Sequence, residues 1–414
     1  MTDSPLLPVK DVKNRILAAF YLLPKETIAL MEGNGRVLAE DVAAGFDLPP
    51  FDNSGMDGFA LHPADRPESL ASSVELAVVA DIPAGIHPAV TLKPGQAARI
   101  MTGAPLPEGA DCVVPVEDTD FPYRETKVLP ESVRINKFPP AKSNIRPRGQ
   151  DAAAGEVLLQ AGQVLLPASA ALLASLGHAK VSVRRQPKIA ILSTGDELIP
   201  PGTALTPGKI YESNSTLLGG LTERAGAVPQ LLGIASDSPA AIQDKLEQAI
   251  TAKSDLILTS AGVSVGAFDF VRQVIEDNGK LELWRVNMRP GKPLAFGHYK
   301  STPVIGLPGN PVSAFAGFMV FVAPVIRKML GLKENRMLQK ARLEHPIHSD
   351  GRESYLRAEV RRDILGLTAH LNTHQGSANL LSIVRSNALL IVPSGVKSLP
   401  TGAEVEVWLL SEPE

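Results

Sequence analysis

The chain has 414 residues, 44% of them hydrophobic and 21% charged, and a formal net charge of −3. This composition is that of a soluble globular protein, the length predicts three or four domains, and the charge gives no support for broad nucleic-acid binding. Cys112 is the only cysteine, which excludes an intrachain disulfide and favours a cytoplasmic location, and its apolar neighbours indicate a core residue. The longest apolar stretch, Phe315 to Ile326, is shorter than the roughly 20 residues of a membrane span, so none is expected.

The spacing of apolar residues changes twice within the first 177 residues. Residues 10–31 carry apolar side chains at helical spacing, broken at Pro24, and residues 155–177 show a helical pattern again. Between them, short apolar runs separated by proline and glycine are typical of a small β domain. The strands predicted there are Val74–Val79, Gln96–Ile100, Cys112–Val116 and Ser132–Ile135. We therefore predict an N-terminal mixed domain of residues 1–46 and 142–177, interrupted by an inserted β domain of residues 47–141.

Residues 178–330 alternate between strand and helix patterns, which predicts an α/β domain with a parallel sheet. Its predicted strands are Lys188–Ser193, Gln230–Ala235, Leu256–Thr259, Leu281–Val286 and Val304–Leu307. Its predicted helices are Asn214–Ala225, Pro239–Ala252, Phe268–Asn278 and one that begins at Asn310-Pro311. Such sheets bind ligands beyond the carboxyl ends of their strands, so we expect the chemistry here. Residues 331–414 alternate as strands again and predict a compact barrel or sandwich.

The stretch from Asp255 to Asp269 combines a buried strand, a loop of small residues and the first turn of a helix. The small residues let a backbone approach a ligand closely: Ser260, Gly262, Ser264 and Gly266. A Gly/Ser loop before a helix N-terminus predicts a phosphate cradle. Asp269 at its rim would repel a phosphate unless a cation lay between them, which indicates a divalent metal.

Acidic residues follow three successive strands of the predicted sheet. Asp196 and Glu197 follow the first, Asp237 the second and Asp269 the third. Because parallel strands end at one edge, these acids are expected to converge there. Mg²⁺ in proteins is usually coordinated by carboxylates together with phosphate oxygens, so the pattern predicts a magnesium site. The alternative is that each acid caps the helix that follows it.

Cationic segments offer further anion-binding groups. Arg289 and Lys292 lie on a rigid proline-flanked turn suited to an oxyanion, and Asn310-Pro311 opens a helix whose N-terminus favours negative charge. The run of residues 134–148 holds five cations and no acid, and is either a solvated connector or a positively charged surface facing an anion.

The sequence lacks the common nucleotide-binding signatures G-x-G-x-x-G and G-x-x-x-x-G-K-[ST]. The paired histidines, 345/348 and 370/374, fall in strand and turn patterns, so their spacing does not predict a zinc site.

The turn-rich loop Pro49–Ala60, which also carries three large apolar residues, predicts a binding surface, with an ordinary interdomain turn as the alternative. In combination with other segments it resembles the molybdopterin molybdenumtransferases, the MoeA/gephyrin E-domain family. The segments that carry the resemblance are Pro50–Gly58, Ile100–Ala104, Asn144–Asp151, Ser193–Leu198, Ser260–Gly266, Met288–Pro293 and Gly306–Ser313. They occur in the family's order and span most of the chain.

The resemblance implies a multidomain α/β plus β fold. Its four domains would be the N-terminal mixed domain, the inserted β domain, a central parallel-sheet α/β (MogA-like) domain of residues 178–330, and a C-terminal β-barrel of residues 331–414. It implies a homodimer with a cleft between the α/β domain of one subunit and the β domain of its partner. It further implies Mg²⁺-assisted insertion of molybdate into adenylylated molybdopterin with release of AMP, and cofactor-pathway proteins as further partners.

The resemblance also implies roles for individual residues. Those expected to act in catalysis are Asp57, Thr102, Asp151, Glu197, Asp237 and Asp269, of which Glu197, Asp237 and Asp269 would hold the metal. Those expected to bind substrate are Arg146, Ser193, Thr194, Gly195, Ser260, Gly262, Ser264, Gly266, Arg289, Lys292, Pro308, Gly309, Asn310, Ser313 and Ser377. Ala261 and Ala378 stand where many members carry glycine.

Two other functions remain open. The α/β domain also resembles the adenylyltransferases that precede this step, which would use ATP and metal-free molybdopterin. A non-catalytic scaffold that only holds the cofactor is the third hypothesis. If the chain inserts molybdate, we expect catalysis by substrate positioning and metal electrostatics, with no covalent nucleophile.

Overall fold

The computed structural model describes residues 6–67, 72–121, 128–260, 270–333, 337–372 and 374–412. Within them, the chain forms two compact units. Unit 1 consists of Met1–Ala39, Gly162–Leu166 and Val181–Glu414, and unit 2 of Glu40–Ala161 and Pro167–Lys180.

The strands are β1 Lys25–Ala29, β2 Val42–Ala43, β3 Asn53–Ser54, β4 Gly58–Leu61, β5 Val74–Ile82, β6 Gln96–Ile100, β7 Cys112–Pro115, β8 Ser132–Ile135, β9 Ile145–Arg146, β10 Val157–Leu159, β11 Lys180–Arg184, β12 Lys188–Thr194, β13 Leu198–Ile199, β14 Ile210–Tyr211, β15 Val228–Ala235, β16 Leu256–Ser260, β17 Gly279–Arg285, β18 Met288–Arg289, β19 Pro293–Tyr299, β20 Thr302–Leu307, β21 Leu338–Leu343, β22 Ile347–His348, β23 Glu353–Asp363, β24 Gly366–Leu371, β25 Ala388–Val392, β26 Ser398–Leu399 and β27 Glu404–Leu409. The α-helices are α1 Val9–Ala18, α2 Pro167–Ser175, α3 Asn214–Arg224, α4 Pro239–Thr251, α5 Phe270–Asn278, α6 Pro311–Gly317, α7 Ala323–Leu330 and α8 Leu380–Val384.

Unit 2 is built on a five-stranded sheet with strand order β7-β4-β6-β5-β8. Strands β5 and β6 are parallel and the other pairs are antiparallel. One core packs Phe59 edge-on against Phe121, with ring centroids 5.7 Å apart, and buries Cys112 completely. The predicted β strands of this region are confirmed to within three residues at their ends, and so is the prediction that Cys112 is a core residue.

Cys112 is expected to resist thiol reagents in the folded protein. Burial is the main cause that raises its pKa, to about 12, and the neighbouring Asp111 carboxylate adds to the rise. Because the thiolate is the reactive form, a disulfide reagent at pH 8 should label the native chain far more slowly than the chain in guanidinium. Stopped-flow absorbance with and without denaturant measures the two rates. Equal rates would contradict a buried thiol.

The α/β part of unit 1 has a six-stranded sheet with strand order β15-β12-β16-β20-β19-β17. The first four strands are parallel, as the alternating pattern predicts. Strands β19 and β17 complete the sheet as antiparallel neighbours: β17 corresponds to the predicted strand Leu281–Val286, whereas β19 and the antiparallel pairing were not predicted. Helices α3, α4 and α5 connect its strands in sequence, and the sheet faces are buried in two apolar clusters.

A continuous helical segment, Pro311–Leu330, follows β20. It joins α6 to α7 through a π-helical stretch, Phe318–Val322, which ends just before Pro324. Proline lacks an N–H and clashes with the preceding turn, so a wider π turn is a physical solution at this position. By length and composition the segment could cross a membrane, but 78% of its most apolar window is buried in the protein, where it forms part of the core.

The C-terminal part of unit 1 is a closed five-stranded barrel, which confirms the predicted barrel. Strands β23, β24, β21, β27 and β25 pair in that order, and β25 pairs back to β23. Strand β18 adds to the start of β23 in parallel, with Arg289 opposite Ser354. The turn that carries the predicted cations is therefore attached to the barrel.

The N-terminal helix prediction was only half right. Helix α1 ends at Ala18, and residues 25–29 form β1, which pairs with β11. Pro24 ends the helical pattern, and Thr27 and Ile28 beyond it are β-branched residues that favour a strand. Residues 157–159 likewise form a strand, β10, ahead of the predicted helix α2.

Candidate active site at the carboxyl edge of the sheet

The strand register collects most of the predicted site segments at one edge of the sheet. Ser193 of β12 lies opposite Ser260 of β16, which lies opposite Leu307 of β20. The hairpin partner of β20 begins at Pro293, and β17 ends opposite it at Arg285. The segments that follow β12, β15 and β20, and the turn from β17 to β19, therefore lie along this carboxyl edge.

Asp196 and Asp237 meet at this edge. The backbone N–H of Asp237 donates to Oδ1 of Asp196 at 3.1 Å, and the N–H of Asp196 faces Oδ2 of Asp237 at 3.4 Å. Neither caps a helix, because α4 is capped by Ser238 and the residue before α3 is Ser213. The helix-cap alternative therefore does not explain these two acids.

Glu197 folds back over the turn that follows β12. A Cβ at Gly195 would lie 2.6 Å from Glu197 Oε2, and the backbone of Gly195 has φ +147. A side chain at position 195 would thus push the carboxylate away. Gly262, Ser264, Gly266 and Asp269, the remaining members of the predicted cradle and metal set, lie outside the described residues.

A buried hydrogen-bond network lies beneath the acids. Glu212 accepts from Ser193 Oγ at 2.9 Å and from the N–H of Ser215 at 2.8 Å, and Ser193 Oγ also lies 2.9 Å from Ser260 Oγ. The network joins the ends of β12 and β16 to the start of α3. The predicted substrate ligands Ser193 and Ser260 are almost completely buried in it, and Thr194 is 6% exposed. Sequence reasoning missed Glu212, although a Glu-Ser-Asn-Ser run before a predicted helix is a signal for local capping.

Replacement of Glu212 by alanine is expected to lower the free energy of unfolding by about 2 kcal/mol, because it leaves the buried N–H of Ser215 without its acceptor and removes one partner of the Ser193 hydroxyl. Glutamine keeps a carbonyl oxygen and should cost less. Urea unfolding of both variants, followed by fluorescence, tests this. An alanine variant as stable as the parent would show that the network contributes nothing.

The opposite end of the edge is cationic. Arg289 and Lys292 are half-buried on the turn between β17 and β19, as predicted. Arg357 on β23, which the sequence did not single out, is only 1% exposed. It donates from Nε to Ser382 Oγ at 3.1 Å and from Nη2 to the Gly376 carbonyl at 3.0 Å. Burial, and then the nearby Arg289, lower its pKa to about 10, and no described carboxylate forms a salt bridge with it.

The predicted residue Ser377 lies where the barrel meets the start of α6. Its hydroxyl accepts from Asn310 Nδ2 at 3.1 Å, and its carbonyl accepts the N–H of Val312 at 3.0 Å. Asn310 precedes Pro311 at the N-terminus of α6, as predicted, but its side chain makes no capping hydrogen bond. The Gly309 carbonyl accepts from Asn214 Nδ2 at 2.7 Å. Pro308 and Ser313 are buried beside this loop.

In unit 2, the structure brings two predicted residues into one pair. Asp57 Oδ1 accepts from the N–H of Thr102 at 2.7 Å and from its Oγ1 at 2.8 Å, and both residues are exposed or half-buried. Arg146 lies on β9 opposite Asn53 of the Pro50–Gly58 loop. Asp151 is exposed after β9.

The cationic run of residues 134–148 is partly neutralised. Arg148 Nε lies 2.5 Å from Asp47 Oδ2, and Arg134 lies 3.8 Å from Glu75. A hydrogen bond from the N–H of Ala154, followed by that from Arg148, lowers the pKa of Asp47. Such surface ion pairs are typical of a solvated connector. Lys137, Lys142 and Arg146 of the same run form no salt bridge to a described residue.

Three family models match the chain. Residues 7–177 match the MoeA N-terminal region (domain I and II), residues 190–328 match a family described as "Probable molybdopterin binding domain", and residues 340–410 match the MoeA C-terminal region (domain IV). Together they leave only short segments of the chain unmatched.

Similar proteins cover almost the whole length. The chain is 38% identical to a molybdopterin molybdenumtransferase from Nostoc sp., over 98% of this chain and 95% of that protein, and 38% identical to molybdopterin molybdenumtransferase 2 from Mycobacterium tuberculosis, over 93% and 95%. A crystal structure of a molybdopterin biosynthesis MoeA protein from Pyrococcus horikosii aligns with a TM-score of 0.83 at 32% identity, covering 99% of this chain and all of that one.

Proposed function

The chain belongs to the molybdopterin molybdenumtransferase family, transferases of molybdenum cofactor biosynthesis, and we propose that it inserts molybdate into adenylylated molybdopterin with release of AMP, assisted by Mg²⁺. The observation that carries this proposal is Arg357, a buried cation of barrel strand β23 that has no salt bridge to a described carboxylate and interacts electrostatically with Arg289 of the turn at the carboxyl edge.

The cationic end is suited to a small tetrahedral dianion. A buried guanidinium without a counter-ion is costly, and an oxyanion bound beside it would offset that cost. Arg289 and Lys292 add two positive charges on a turn held by β18 to the barrel. The Ser377 hydroxyl accepts from Asn310 and so keeps its own proton to donate to an oxyanion, and the dipole at the start of α6 favours negative charge. Molybdate has the charge and the oxygens that this set of donors requires.

The acidic end fits a hard divalent cation. Glu197 lies on the turn after β12 and Asp237 on the turn after β15, where the backbone of Asp237 is hydrogen-bonded to the neighbouring Asp196, and we propose Asp269 as the third acid. Mg²⁺ takes such oxygens together with phosphate oxygens and water. When bound, it would neutralise and polarise a pyrophosphate for cleavage next to AMP. The chain's own contribution is to hold these carboxylates in place through the turns that the buried Glu212 network supports.

The spacing between the two ends suits one extended ligand. Strands β12 and β20 are separated only by β16, so the acids and the start of α6 are about 10 Å apart in the sheet direction. A pyrophosphate at the acids would leave the pterin directed toward the cations. The proposed small-residue contacts are Gly195, Gly309 and the loop after β16. We also propose a cytoplasmic location, since the substrate is a small molecule and the long apolar helix found within the described residues, Pro311–Leu330, is mostly buried in the core.

Product analysis separates this function from its two alternatives. With purified adenylylated molybdopterin and Mg²⁺, the proposal predicts AMP only when molybdate is added. An adenylyltransferase would instead release pyrophosphate from ATP and molybdopterin without molybdate. A scaffold would bind the adenylylated substrate and release nothing. Chromatographic detection of AMP and pyrophosphate in the same samples identifies which function holds.

We further propose that the chain acts as a homodimer in which Asp57 and Thr102 of one subunit complete the site of the other. At a Mg²⁺ concentration that only just saturates the parent, Asp57→Asn and Asp237→Asn should each abolish most of the activity of a homodimer, whereas refolding the two variants together should restore about a quarter of the parent activity. Half of the dimers are then mixed, and each mixed dimer has one site free of both changes.

AMP release by the mixed and unmixed variants measures this restoration. If both residues served a site within one chain, every site of a mixed dimer would carry one change, and activity would stay at the level of the single variants. Sedimentation provides the control that both variants still form dimers.

A further inference from the structure

Three metal-ligating side chains cluster on the C-terminal barrel. Glu344, His345 and His370 each place a ligand atom within 4.8 Å of the other two. Glu344 Oε2 lies 3.1 Å from Nδ1 of His370, and the two imidazole rings are edge to face with centroids 5.5 Å apart. None of the three belongs to the carboxyl-edge residues to which the proposed function assigns a role.

The barrel topology creates this cluster from distant parts of the sequence. Strands β21 and β24 are parallel, with Leu343 opposite Ala369, and the N–H of Glu344 extends the pairing by donating to the Ala369 carbonyl at 3.1 Å. This contact places Glu344 beside His370, the next residue of β24. Pro346 follows His345 and restricts its backbone to extended conformations. The cluster therefore takes one histidine from each sequence pair, which is why the spacing within each pair did not predict it.

The donor set fits one class of ion. Two imidazole nitrogens and one carboxylate oxygen are the three protein ligands of many zinc sites, where water takes the fourth position. A tetrahedral site with bonds of about 2.0–2.1 Å needs its ligand atoms about 3.4 Å apart. Because the three ligand atoms already lie within 4.8 Å of one another, displacements of roughly 1.4 Å or less would bring them to this spacing, and exposed or half-buried side chains can make them by small rotations. Soft thiolates are absent from the set, and Mg²⁺ disfavours imidazole.

The surrounding charges favour a cation. Glu359 lies opposite His370 across the β23–β24 pair, and its carboxylate is 2.8 Å from Arg361 Nε. Hydrogen bonding to Glu359 raises the pKa of Arg361, and Glu344 adds a smaller electrostatic contribution. With neutral imidazoles, the two carboxylates and one guanidinium leave one net negative charge at the cluster.

A plain ion pair between Glu344 and a protonated His370 is the competing explanation. It accounts for the 3.1 Å contact but gives His345 no part. The approach of the second imidazole is the feature that the ion pair leaves unexplained.

We propose that Glu344, His345 and His370 form a binding site for a borderline divalent transition-metal ion of the zinc class, with water at an open coordination position. The ion links the end of β21 to β24 on the outside of the barrel. It is separate from the magnesium site proposed at the carboxyl edge, whose ligands are carboxylates alone.

Zinc titration of the full chain tests the site. Calorimetry is done in excess Mg²⁺, which occupies hard oxygen sites, with the parent chain and with His345→Ala, His370→Ala and the control His348→Ala. His348 is exposed on β22, near His345 in sequence but outside the cluster. We expect one zinc per chain in the parent and the control, and at least about tenfold weaker binding in the two cluster variants. Circular dichroism checks that each variant is folded.

X-ray absorption at the zinc edge gives a second readout. The parent complex should show two imidazole nitrogens in the first coordination shell, and His345→Ala should show fewer. Zinc binding by His345→Ala with the parent's affinity and coordination would overturn the proposal, and so would an absence of zinc binding by the parent at millimolar zinc. If His370→Ala fails to fold, the exposed His345 variant still decides between the metal site and the ion pair.

Discussion

Replacing Arg357 by methionine is expected to leave the folded chain about as stable as the parent while lowering kcat/KM for molybdate by about 100-fold or more. The buried guanidinium carries a desolvation penalty that no described carboxylate offsets, and methionine fills a similar volume without it. The lost hydrogen bonds to Ser382 and Gly376 oppose that gain by about 1 kcal/mol each. Removing the buried guanidinium that would pair with a bound dianion is expected to cost about 3–5 kcal/mol of interaction free energy. The predicted loss of kcat/KM for molybdate follows from this value.

Urea unfolding and AMP release against molybdate concentration measure the two effects separately. Arg361→Met is the matched control, since Arg361 lies on the same strand but is exposed and paired with Glu359. It should change kcat/KM less than about twofold, as exposed pairs contribute little. A methionine variant at position 357 that loses several kcal/mol of stability but keeps its activity would make Arg357 a structural residue.

The second large effect is expected at the acids. Asp237→Asn and Glu197→Gln should each raise the Mg²⁺ concentration for half-maximal AMP release by at least about tenfold, because each removes a charged oxygen from the proposed site. A chelator should abolish turnover of the parent, and added Mg²⁺ should restore it. Magnesium titrations of the initial rate provide the measurement.

Asp196→Asn is the matched control for these variants. The Asp196 side chain accepts the N–H of Asp237, and an amide oxygen can accept the same hydrogen bond. The turn should therefore persist, with a smaller change in magnesium dependence than Asp237→Asn causes. Equal changes in the two variants would contradict the assignment of the metal ligands to Glu197 and Asp237.

The sequence predicted the fold where one physical signal dominated. Alternating strand and helix patterns identified the four parallel strands, and their common edge explains why Asp196 and Asp237 meet although 41 positions separate them. The hairpin strand β19 was missed because Gly297 and His298 interrupt its apolar pattern. Residues 25–29 were assigned to a helix because local periodicity cannot show that the distant strand Lys180–Arg184 pairs with them.

Two buried polar residues show why part of the site was not predictable. Glu212 directly follows the short strand β14, and Arg357 lies within β23. Charged residues are usually exposed, and only the tertiary contacts show that these two are buried. The pair Asp57–Thr102 came from motif resemblance, and its two hydrogen bonds give that resemblance a physical basis. Their roles in catalysis stay predictions, as do those of Asp151 and Asp269.

The most direct measurement of the central claim is the stoichiometry of a single turnover. Parent enzyme in excess over adenylylated molybdopterin, with Mg²⁺, is mixed with increasing molybdate, and AMP and inserted molybdenum are counted in the same samples. Our account predicts one AMP released for each molybdenum inserted and no AMP without molybdate. AMP released at the same rate in the absence of molybdate would contradict it.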